Sequence, residues 1–243
     1  MQKMVKSFYS KKTESSYLLS NEKCSAMKSE KDLSDYRKVY QKSELLETNI
    51  PDNPIQLFQT WFYEVEKSGG VDEANAMTIS TIGLDGFPKN RVVLLKKYTE
   101  EGFIFYTNYN SEKGKAIAAN PNLCASFFWP NIERQVIIKG KAEKIAPNLS
   151  DGYFESRPRG SQLGAIVSNQ SEVLSSREEL ELKLKDLEEY YENKEIQRPD
   201  YWGGYIIKPV SIEFWQGRPN RLHDRIRFII QNEYDWKIER LNP

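Results

Sequence analysis

Short segments rich in β-branched and aromatic residues recur through most of this 243-residue sequence. They cover residues 76–82, 90–96, 103–107, 123–129, 135–145, 205–215, 225–230 and 235–240. An Asp85-Gly86 dipeptide lies between the first two, and Asp-Gly between strands is a strong hairpin signal. Parallel strands need a long crossover, usually a helix, and most of these segments have none between them. The pattern therefore predicts an antiparallel barrel or sandwich, mainly β with flanking helices.

Helical segments flank these strands. The Asn53-Pro54 pair can begin an amphipathic helix that the Gly69-Gly70 pair ends. Further helices are predicted at 111–119, at 150–156, at 161–167, and from a capping box at Ser175 or Ser176 to about Tyr191. The sequence has no internal repeat, so residues 37–243 are predicted to form one domain. Residues 1–36 are rich in Ser and Lys and poor in apolar side chains, which predicts a disordered leader.

Charge, cysteine and histidine content argue against several classes of function. The 35 basic and 35 acidic residues balance, whereas a nucleic-acid binder usually carries a basic excess. Cys24, Cys124 and the single histidine cannot assemble a Cys/His zinc site, so we expect free thiols and no metal. No apolar run approaches the roughly 20 residues that span a bilayer, which indicates a soluble, cytoplasmic protein. Lysines without acids near the N-terminus leave a mitochondrial presequence as an alternative.

Two segments place basic residues beside apolar strands. In the run Arg91-Val92-Val93-Leu94-Leu95-Lys96, alternation puts Arg91 and Lys96 on opposite faces, so either could hold an anion at a barrel rim. Two charges that bound a buried strand are the simpler interpretation of this run by itself. The Tyr106-Thr107-Asn108 segment is followed by Ser111 and Lys113 at a helix start, which could cradle a phosphate. The sequence has no glycine-rich nucleotide-binding fingerprint, so a nucleoside triphosphate is not expected.

A second basic segment, Ser156-Arg157-Pro158-Arg159-Gly160-Ser161, combines two guanidiniums with a helix start. Arginine binds phosphate through two parallel hydrogen bonds, and the helix dipole adds to the attraction. Gln135, at a strand start, could donate to a polar ring edge, although a solvent-exposed glutamine is commoner there. These segments favour a small anionic ligand.

The segment 212–225 is the richest in chemistry, because it holds the single histidine, His223, among three arginines. Arg221 and Arg225 would lower the pKa of His223, and Asp224 would oppose that shift. No Ser or Cys lies beside a base in the spacing that hydrolysis requires. The residues alone therefore predict a protein that binds a phosphorylated small molecule.

Taken together, the motifs resemble the pyridoxamine 5′-phosphate oxidase family. The resemblance rests on residues 91–96, Tyr106-Thr107-Asn108, Glu133-Arg134-Gln135-Val136, residues 156–161, Gln170-Ser171, Trp202-Gly203-Gly204 and residues 213–225, in this order. It extends from about Arg37 to Pro243. It implies an FMN-binding split β-barrel of antiparallel, Greek-key type that works as a homodimer, with its cofactor sites at the subunit interface.

The resemblance also implies which residues contact each ligand. For FMN they are Arg91, Val92, Val93, Leu94, Leu95, Lys96, Tyr106, Thr107, Lys113, Gln135, Gln170, Ser171, Trp215 and Arg225. For the substrate they are Arg37, Lys38, Val39, Tyr40, Lys96, Tyr153, Arg157, Ser161, Arg221, Leu222 and His223, with Arg157 and Ser161 on its phosphate. Arg221 and His223 would be the catalytic residues that orient the reacting end against the flavin, and residues 37–40 would cover the substrate.

The implied reaction is oxidation of pyridoxamine 5′-phosphate or pyridoxine 5′-phosphate by oxygen to pyridoxal 5′-phosphate. A hydride passes from C4′ to the flavin N5, oxygen takes the electrons as hydrogen peroxide, and the imine from the amine hydrolyses to aldehyde and ammonia. A non-catalytic protein of the same fold that binds flavin or pyridoxal phosphate is one alternative. A flavin reductase that uses a nicotinamide is another, but it leaves Arg157 and Ser161 unexplained.

One residue departs from the family pattern. Glu112 stands where the family often has an arginine. A carboxylate that points inward beside the FMN phosphate would weaken binding by ~1–2 kcal/mol, whereas rotation into solvent would avoid most of that loss.

Overall fold

The structure is a computed structural model that describes residues 31–232 and 235–243. The chain divides into two compact units, Met1–Lys38 and Val39–Pro243. Most of the predicted leader lies outside the described residues, and so does Cys24. Within the first unit, residues 31–38 have little regular structure, with a hydrogen bond from the Ser34 hydroxyl to the Asp32 carboxylate at 2.5 Å.

Strands dominate the second unit. The helices are α1 (Pro54–Ser68), α2 (Glu112–Ala119), α3 (Pro147–Glu155), α4 (Arg159–Val167) and α5 (Arg177–Tyr191). The strands are β1 (Ala76–Ile82), β2 (Pro88–Leu94), β3 (Lys97–Thr99), β4 (Gly102–Asn108), β5 (Asn122–Trp129), β6 (Arg134–Lys144), β7 (Trp202–Gln216), β8 (Asp224–Ile230) and β9 (Trp236–Arg240). Single 3-10 turns occur at Glu47–Asn49 and Pro219–Arg221. In the described part of the chain, no helix is long and apolar enough to cross a membrane.

The strands form one antiparallel sheet. Its order is β2-β1-β5-β6-β7-β4-β3, with β8 added to β7 and β9 to β8. The 15-residue β7 pairs with β6 along most of its length, with β4 through its first half and with β8 through its second half. Because one long strand serves two sets of partners, the sheet curls around the main hydrophobic core, and a second, smaller cluster forms around Phe154, Leu163, Ile196 and Trp202. The predicted architecture, mainly antiparallel β with flanking helices, is confirmed.

Helix α1 closes the core. The Asn53 side chain accepts a hydrogen bond from the Ile55 N–H at 2.8 Å, and Gly69, with φ 64°, ends the helix as predicted. Phe58 is fully buried, and its ring centroid lies 5.0 Å from that of Phe103 and 5.3 Å from that of Phe127. The contact with Phe103 is edge-to-face and that with Phe127 is tilted, and aromatic packing of this kind adds to the burial of apolar area that holds α1 on the sheet.

Some predicted boundaries differ from the observed ones. Strand β2 ends at Leu94 instead of residue 96: the Leu95 N–H still donates to the Asn75 carbonyl beside β1, but the Lys96 N–H donates to the Ile104 carbonyl of β4. Helix α3 begins at Pro147, three residues earlier than predicted, and α4 begins at Arg159, two residues earlier. Proline at a first helical position needs no N–H partner, which is why Pro147 can start α3.

Candidate active site

A cavity of about 780 Å³ opens beside β2, β4 and the turn between α3 and α4. This volume falls in the range of about 300–1,000 Å³ that is typical of small-molecule sites. Its lining includes thirteen of the predicted ligand residues: Arg91, Val92, Val93, Leu94, Lys96, Tyr106, Thr107, Lys113, Tyr153, Arg157, Ser161, Gln170 and Ser171. Residues scattered over 81 positions of sequence are thus brought to one place, because β2, β4 and α4 meet there.

Lys113 is the buried cation of this cavity. The Ser111 side chain caps α2, so Lys113 follows in the first turn, and its Nζ donates to Gln170 Oε1 at 2.7 Å and to Thr107 Oγ1 at 3.2 Å. Burial, together with the charge of Arg91, lowers the pKa of Lys113 to about 8, and the charge of Glu112 opposes this shift. A desolvated ammonium held by neutral oxygens gains most from an anionic ligand, so this corner is suited to a phosphate.

Glu112 does not point freely into solvent. Its carboxylate forms an ion pair with the Arg91 guanidinium and another with Lys89 Nζ at 3.0 Å. Hydrogen bonding to Lys89 lowers the pKa of Glu112. The acid that departs from the family pattern therefore engages an arginine of the cavity itself.

Arg157 forms the second basic part of the cavity. Its guanidinium lies 4.6 Å from the ring centroid of Trp202, and its Nη1 is buried with no hydrogen-bond partner. Burial lowers the pKa of Arg157. An unpaired buried donor costs about 1–3 kcal/mol, and an anionic oxygen in the cavity would remove that cost.

Arg159 does not join Arg157 as the sequence suggested. Its guanidinium donates to the main-chain carbonyls of Tyr191 and Lys194, the latter at 3.3 Å. Tyr191 ends α5, where its carbonyl also accepts from the Lys194 N–H at 2.9 Å, and Lys194 lies in the turn beyond the helix. One guanidinium of the 156–161 segment thus lines the cavity, and the other ties two helices together.

Three aromatic side chains of the cavity lining are stacked with nearly parallel rings. Tyr106 stacks on Tyr153 with centroids 3.9 Å apart and an interplanar angle of 20°, and on Trp202 at 5.5 Å and 11°. Burial raises the pKa of Tyr106, which keeps its hydroxyl neutral. Trp202 was quoted in the sequence motif but was not predicted as a ligand residue. Parallel aromatic rings of this kind suit a planar ligand ring.

Leu95 is placed elsewhere. Its side chain is 4% exposed in the hydrophobic core and lines a neighbouring cavity of about 640 Å³, not the 780 Å³ one. Val93, two residues earlier, packs against the same core, so Leu95 keeps the face that alternation predicts and lies on the core side of the sheet.

Gln135, Trp215 and Arg225 also lie outside the 780 Å³ cavity. They occupy one rung of the sheet, since Gln135 pairs with Trp215 and Trp215 with Arg225. Neighbouring residues across antiparallel strands project to the same face, so these side chains share the outer face of β6, β7 and β8. Arg225 Nε donates to Glu213 Oε1 at 2.8 Å on the same face. The structure brings these three together, but away from the cavity of their own protomer.

His223 joins Trp215 in this second group. Their ring centroids lie 4.8 Å apart, and Tyr40 lies 5.6 Å from Trp215 and 5.7 Å from His223. The Arg218 N–H donates to His223 Nδ1 at 3.1 Å, so a neutral ring carries its proton on Nε2. Burial lowers the pKa of His223, Arg221 adds to the shift, and the charge of Asp224 opposes it.

The turn before His223 has an unusual backbone. Asn220 and Arg221 have φ of 58° and 63°, a left-handed conformation that non-glycine residues rarely adopt. Such residues cost of order 1–3 kcal/mol each and cluster at functional sites. Arg221 is exposed, and Leu222 is 68% exposed, so both side chains face outward from this protomer.

The segment that follows residue 38 is fastened beside His223. The main-chain N–H groups of Gln41 and Lys42 donate to Glu133 Oε2 at 2.8 and 3.0 Å, and the Leu45 N–H donates to Asp224 Oδ2 at 3.0 Å. Glu133 is buried with a φ of 59°. The sequence motif contained Glu133 and Asp224, but their role as anchors was not predicted, because their partners are main-chain groups.

The predicted substrate cover of residues 37–40 crosses two units. Arg37 and Lys38 belong to the first unit, where Arg37 Nε donates to the Ser34 carbonyl at 3.3 Å. Val39, which is exposed, and Tyr40 belong to the second. Among residues 31–232 and 235–243, no group of three or more His, Cys, Asp or Glu side chains could hold a metal ion.

Comparison with known proteins identifies the family. A sequence model described as pyridoxamine 5′-phosphate oxidase matches residues 66–191, and one described as the pyridoxine 5′-phosphate oxidase C-terminal dimerisation region matches residues 202–243. A protein of Flavobacterium psychrophilum named pyridoxine/pyridoxamine 5′-phosphate oxidase is 71% identical over 213 residues, 88% of this chain and 100% of that protein. A Flavobacterium johnsoniae protein of the same name is 69% identical over 211 residues, 87% of this chain and 99% of that protein.

Solved structures share the fold. PhzG from Burkholderia lata, in complex with tetrahydrophenazine-1-carboxylic acid, superposes with a TM-score of 0.76 at 26% identity and covers 84% of this chain and 100% of its own. A Nostoc punctiforme protein described as pyridoxamine 5′-phosphate oxidase-related and FMN binding has a TM-score of 0.63 at 15% identity, covers 80% of this chain and 100% of its own, and shares the fold alone. The predicted split-barrel class is confirmed. With a family match over residues 66–191 and relatives 69% and 71% identical across almost their full lengths, this chain belongs to the pyridoxine/pyridoxamine 5′-phosphate oxidase family.

Proposed function

We propose that this protein uses FMN to oxidise pyridoxamine 5′-phosphate and pyridoxine 5′-phosphate with oxygen, giving pyridoxal 5′-phosphate and hydrogen peroxide. The amine substrate also consumes water and releases ammonia. The reaction would serve synthesis and salvage of vitamin B6. The observation that carries the proposal is a cavity with two basic parts, around Lys113 and around Arg157, in a member of this family. Each part would bind one phosphate, that of the cofactor and that of the substrate.

The residues of the cavity fit FMN. Lys113 is buried, and within the described chain no acid forms an ion pair with it, so an incoming phosphate would restore a pKa that burial has lowered. Thr107, Gln170 and Ser171 offer hydroxyl and amide groups beside it. When bound, FMN supplies a hydride acceptor at N5 that oxygen can reoxidise.

The substrate phosphate fits the second basic part. Arg157 has a buried, unpartnered Nη1, and Lys96, Tyr153 and Ser161 line the same cavity. The stacked rings of Tyr153 and Tyr106 give a pyridine ring a flat surface on which to lie. These residues would bind and orient the substrate, and the stack would exclude water from one of its faces.

Completion of the site by a second copy of the chain is part of the proposal. Arg221, His223, Trp215 and Arg225 lie outside their own protomer's cavity, and the region 202–243 that contains them matches the family's dimerisation region. The same face of the sheet carries Phe128 beside Gln135, with its apolar side chain 54% exposed. In a homodimer this face would be covered, and Arg221 and His223 of one subunit would orient the substrate in the other.

The test is aldehyde formation by the purified protein with pyridoxamine 5′-phosphate, added FMN and air. Pyridoxal 5′-phosphate and hydrogen peroxide in equal amounts, with ammonia, are the expected products. A protein that retains flavin but forms no aldehyde would be the non-catalytic binding protein instead. Flavin reduction by a nicotinamide without aldehyde formation would identify the reductase.

We also propose a cytoplasmic location. The relatives compared above are bacterial proteins and give no support to mitochondrial import.

A further inference from the structure

Glu112 lies where two cavities meet. It lines a smaller cavity of about 290 Å³, and its ion-pair partner Arg91 lines the 780 Å³ cavity. Gln170 and Ser171 line both. Any anion that approaches Arg91 at this boundary must therefore do so beside the Glu112 carboxylate.

The basic side chains around the cavity differ in whether they form ion pairs with acidic side chains. Arg91 is held by Glu112, whereas over residues 31–232 and 235–243 no ion pair involves Lys96, Lys113 or Arg157. Lys89, next to Arg91 on the same side of Glu112, lies 3.0 Å from that carboxylate and 2.9 Å from Asp85. The Glu112 carboxylate is thus ion-paired with both Arg91 and Lys89, at the corner of the cavity where Lys113 also lies.

We propose that Glu112 is an internal competitor for the flavin phosphate: its carboxylate occupies Arg91 and Lys89, and this contest sets both the affinity for FMN and the preference for a phosphorylated flavin. The inference rests on the proposed function, in which this corner holds the cofactor phosphate. Glu112 acts on the cations and need not touch the flavin ring.

Glu112 accepts from Nη2 of Arg91, while Nη1 donates to the Asn90 carbonyl at 2.7 Å, so a phosphate oxygen that approached Arg91 would compete with the carboxylate for Nη2. If both stay near it, their negative charges repel each other. The effect is moderate, because the Glu112 side chain is 36% exposed and solvent screens the pair. Glu112 is also the first residue of α2, where the helix dipole favours any anion, including a competing one.

The experiment compares dissociation constants of FMN and of riboflavin, which lacks the phosphate, by quenching of flavin fluorescence on the flavin-free protein. Glu112→Gln keeps the size and removes the charge. It should tighten FMN by about threefold to tenfold and leave riboflavin unchanged. Asp85→Asn removes one of the two carboxylates that hold Lys89 and leaves Arg91 paired with Glu112, so it should give a smaller gain for FMN in the same direction.

Glu181→Gln is the matched control. Glu181 is also ion-paired, with Arg177 at 2.7 Å, but it lies on α5 and lines neither cavity. The dissociation constants of FMN and riboflavin for this variant should equal those for the unchanged protein. The unfolding midpoints of all three variants verify that they are folded.

Several outcomes would overturn the inference. Weaker FMN binding by Glu112→Gln would mean that Glu112 positions Arg91 for the phosphate, and unchanged binding would mean that solvent already separates the pair. Equal tightening of both flavins would place the effect at the ring. If the unchanged protein bound no FMN, the proposed function would fail separately, and titration with inorganic phosphate would still decide whether Glu112→Gln gains affinity for an anion.

Discussion

Single side chains in the cavity show how burial makes a charge available to a ligand. Lys113 and Arg157 are both basic, both desolvated, and over residues 31–232 and 235–243 neither is in an ion pair. In each case burial is the main cause of the lowered pKa. An anionic ligand that reaches them replaces lost solvation, so these two residues should dominate the charge dependence of binding.

The first prediction concerns the pH dependence of FMN affinity. Free Lys113 has a pKa of about 8, and a bound phosphate should raise it, so both forms are charged below pH 8. Above pH 8 the flavin-free protein loses this proton while the complex keeps it, and binding must then take up a proton. The dissociation constant should rise about 25-fold between pH 7.5 and pH 9.5. Fluorescence titration of FMN over this range measures it.

Lys113→Arg is the control, because arginine stays charged throughout this pH range. Its FMN affinity should be nearly independent of pH between 7.5 and 9.5. A slope as steep as that of the unchanged protein would assign the proton to another group.

The second prediction separates the two arginines of the 156–161 turn. Arg157→Ala should raise the KM for pyridoxamine 5′-phosphate about tenfold to a hundredfold with little change in kcat, because it removes binding common to substrate and transition state. Arg159→Ala should leave KM unchanged and lower the free energy of unfolding by about 1 kcal/mol. The reason is that Arg159 donates to the main-chain carbonyls of Tyr191, at the end of α5, and of Lys194. Steady-state kinetics and urea unfolding measure the two effects. A loss of kcat alone in Arg157→Ala would contradict a phosphate-binding role.

At the scale of elements, the segment 39–46 depends on a close approach to the end of β7. A Cβ on Gly217 would lie 2.8 Å from Tyr40 Cγ and 2.9 Å from Tyr40 Cβ, closer than such atoms ever come. Glycine at this position therefore lets Tyr40 pack against Trp215 and His223. The hydrogen bonds that Glu133 and Asp224 accept from this segment lie at the same end of the sheet.

The third prediction follows from this contact. Gly217→Ala should displace Tyr40 and lower the free energy of unfolding by about 1–3 kcal/mol, because the neighbour must shift. Gly152→Ala is the matched control: its Cβ would meet nothing within 4 Å, and alanine inside α3 should stabilise by roughly 0.5–1 kcal/mol. Urea unfolding followed by tryptophan fluorescence measures both. Equal stability of the two variants would show that Tyr40 does not rest on Gly217.

At the scale of the whole molecule, the fourth prediction tests whether two chains build one site. Arg157→Ala removes a cavity residue, and Arg221→Ala removes one that lies outside the cavity of its own protomer. Each homodimer should be poorly active at substrate concentrations well below KM. After unfolding and refolding together in equal amounts, half of the dimers should be mixed, and each would have one intact site. Activity should recover to about a quarter of that of the unchanged protein.

The recovered activity depends on whether Arg221 serves the cavity of its own chain or that of the other chain. If Arg221 served the cavity of its own chain, every chain in a mixed dimer would still have one defective site, and no activity would return. Mixing the two variants without unfolding them is the control for slow exchange of subunits.

Much of the fold follows from the sequence because the signals are local. The alternation of apolar residues predicts β1 at 76–82 as observed, and Asn53-Pro54 and Gly69 mark both ends of α1. Capping by Ser111 and Ser176 likewise marks the starts of α2 and α5. Hydrogen bonds and backbone preferences within a few residues decide these elements, so their prediction needs no tertiary information.

Tertiary structure decided what those local signals do not contain. From the sequence, both arginines of the 156–161 turn are equally good candidates for binding an anion. In the folded chain, Arg157 lies over the ring of Trp202, whereas Arg159 donates to a carbonyl at the end of α5. Leu95 lies in the core just beyond β2, where its N–H donates to the Asn75 carbonyl and the next N–H donates to the Ile104 carbonyl. Glu112 and Arg91 are 21 positions apart in the sequence, and they form an ion pair only because α2 and β2 meet at one corner of the fold. Such contacts arise from how the sheet curls, and this is a property of all its strands together.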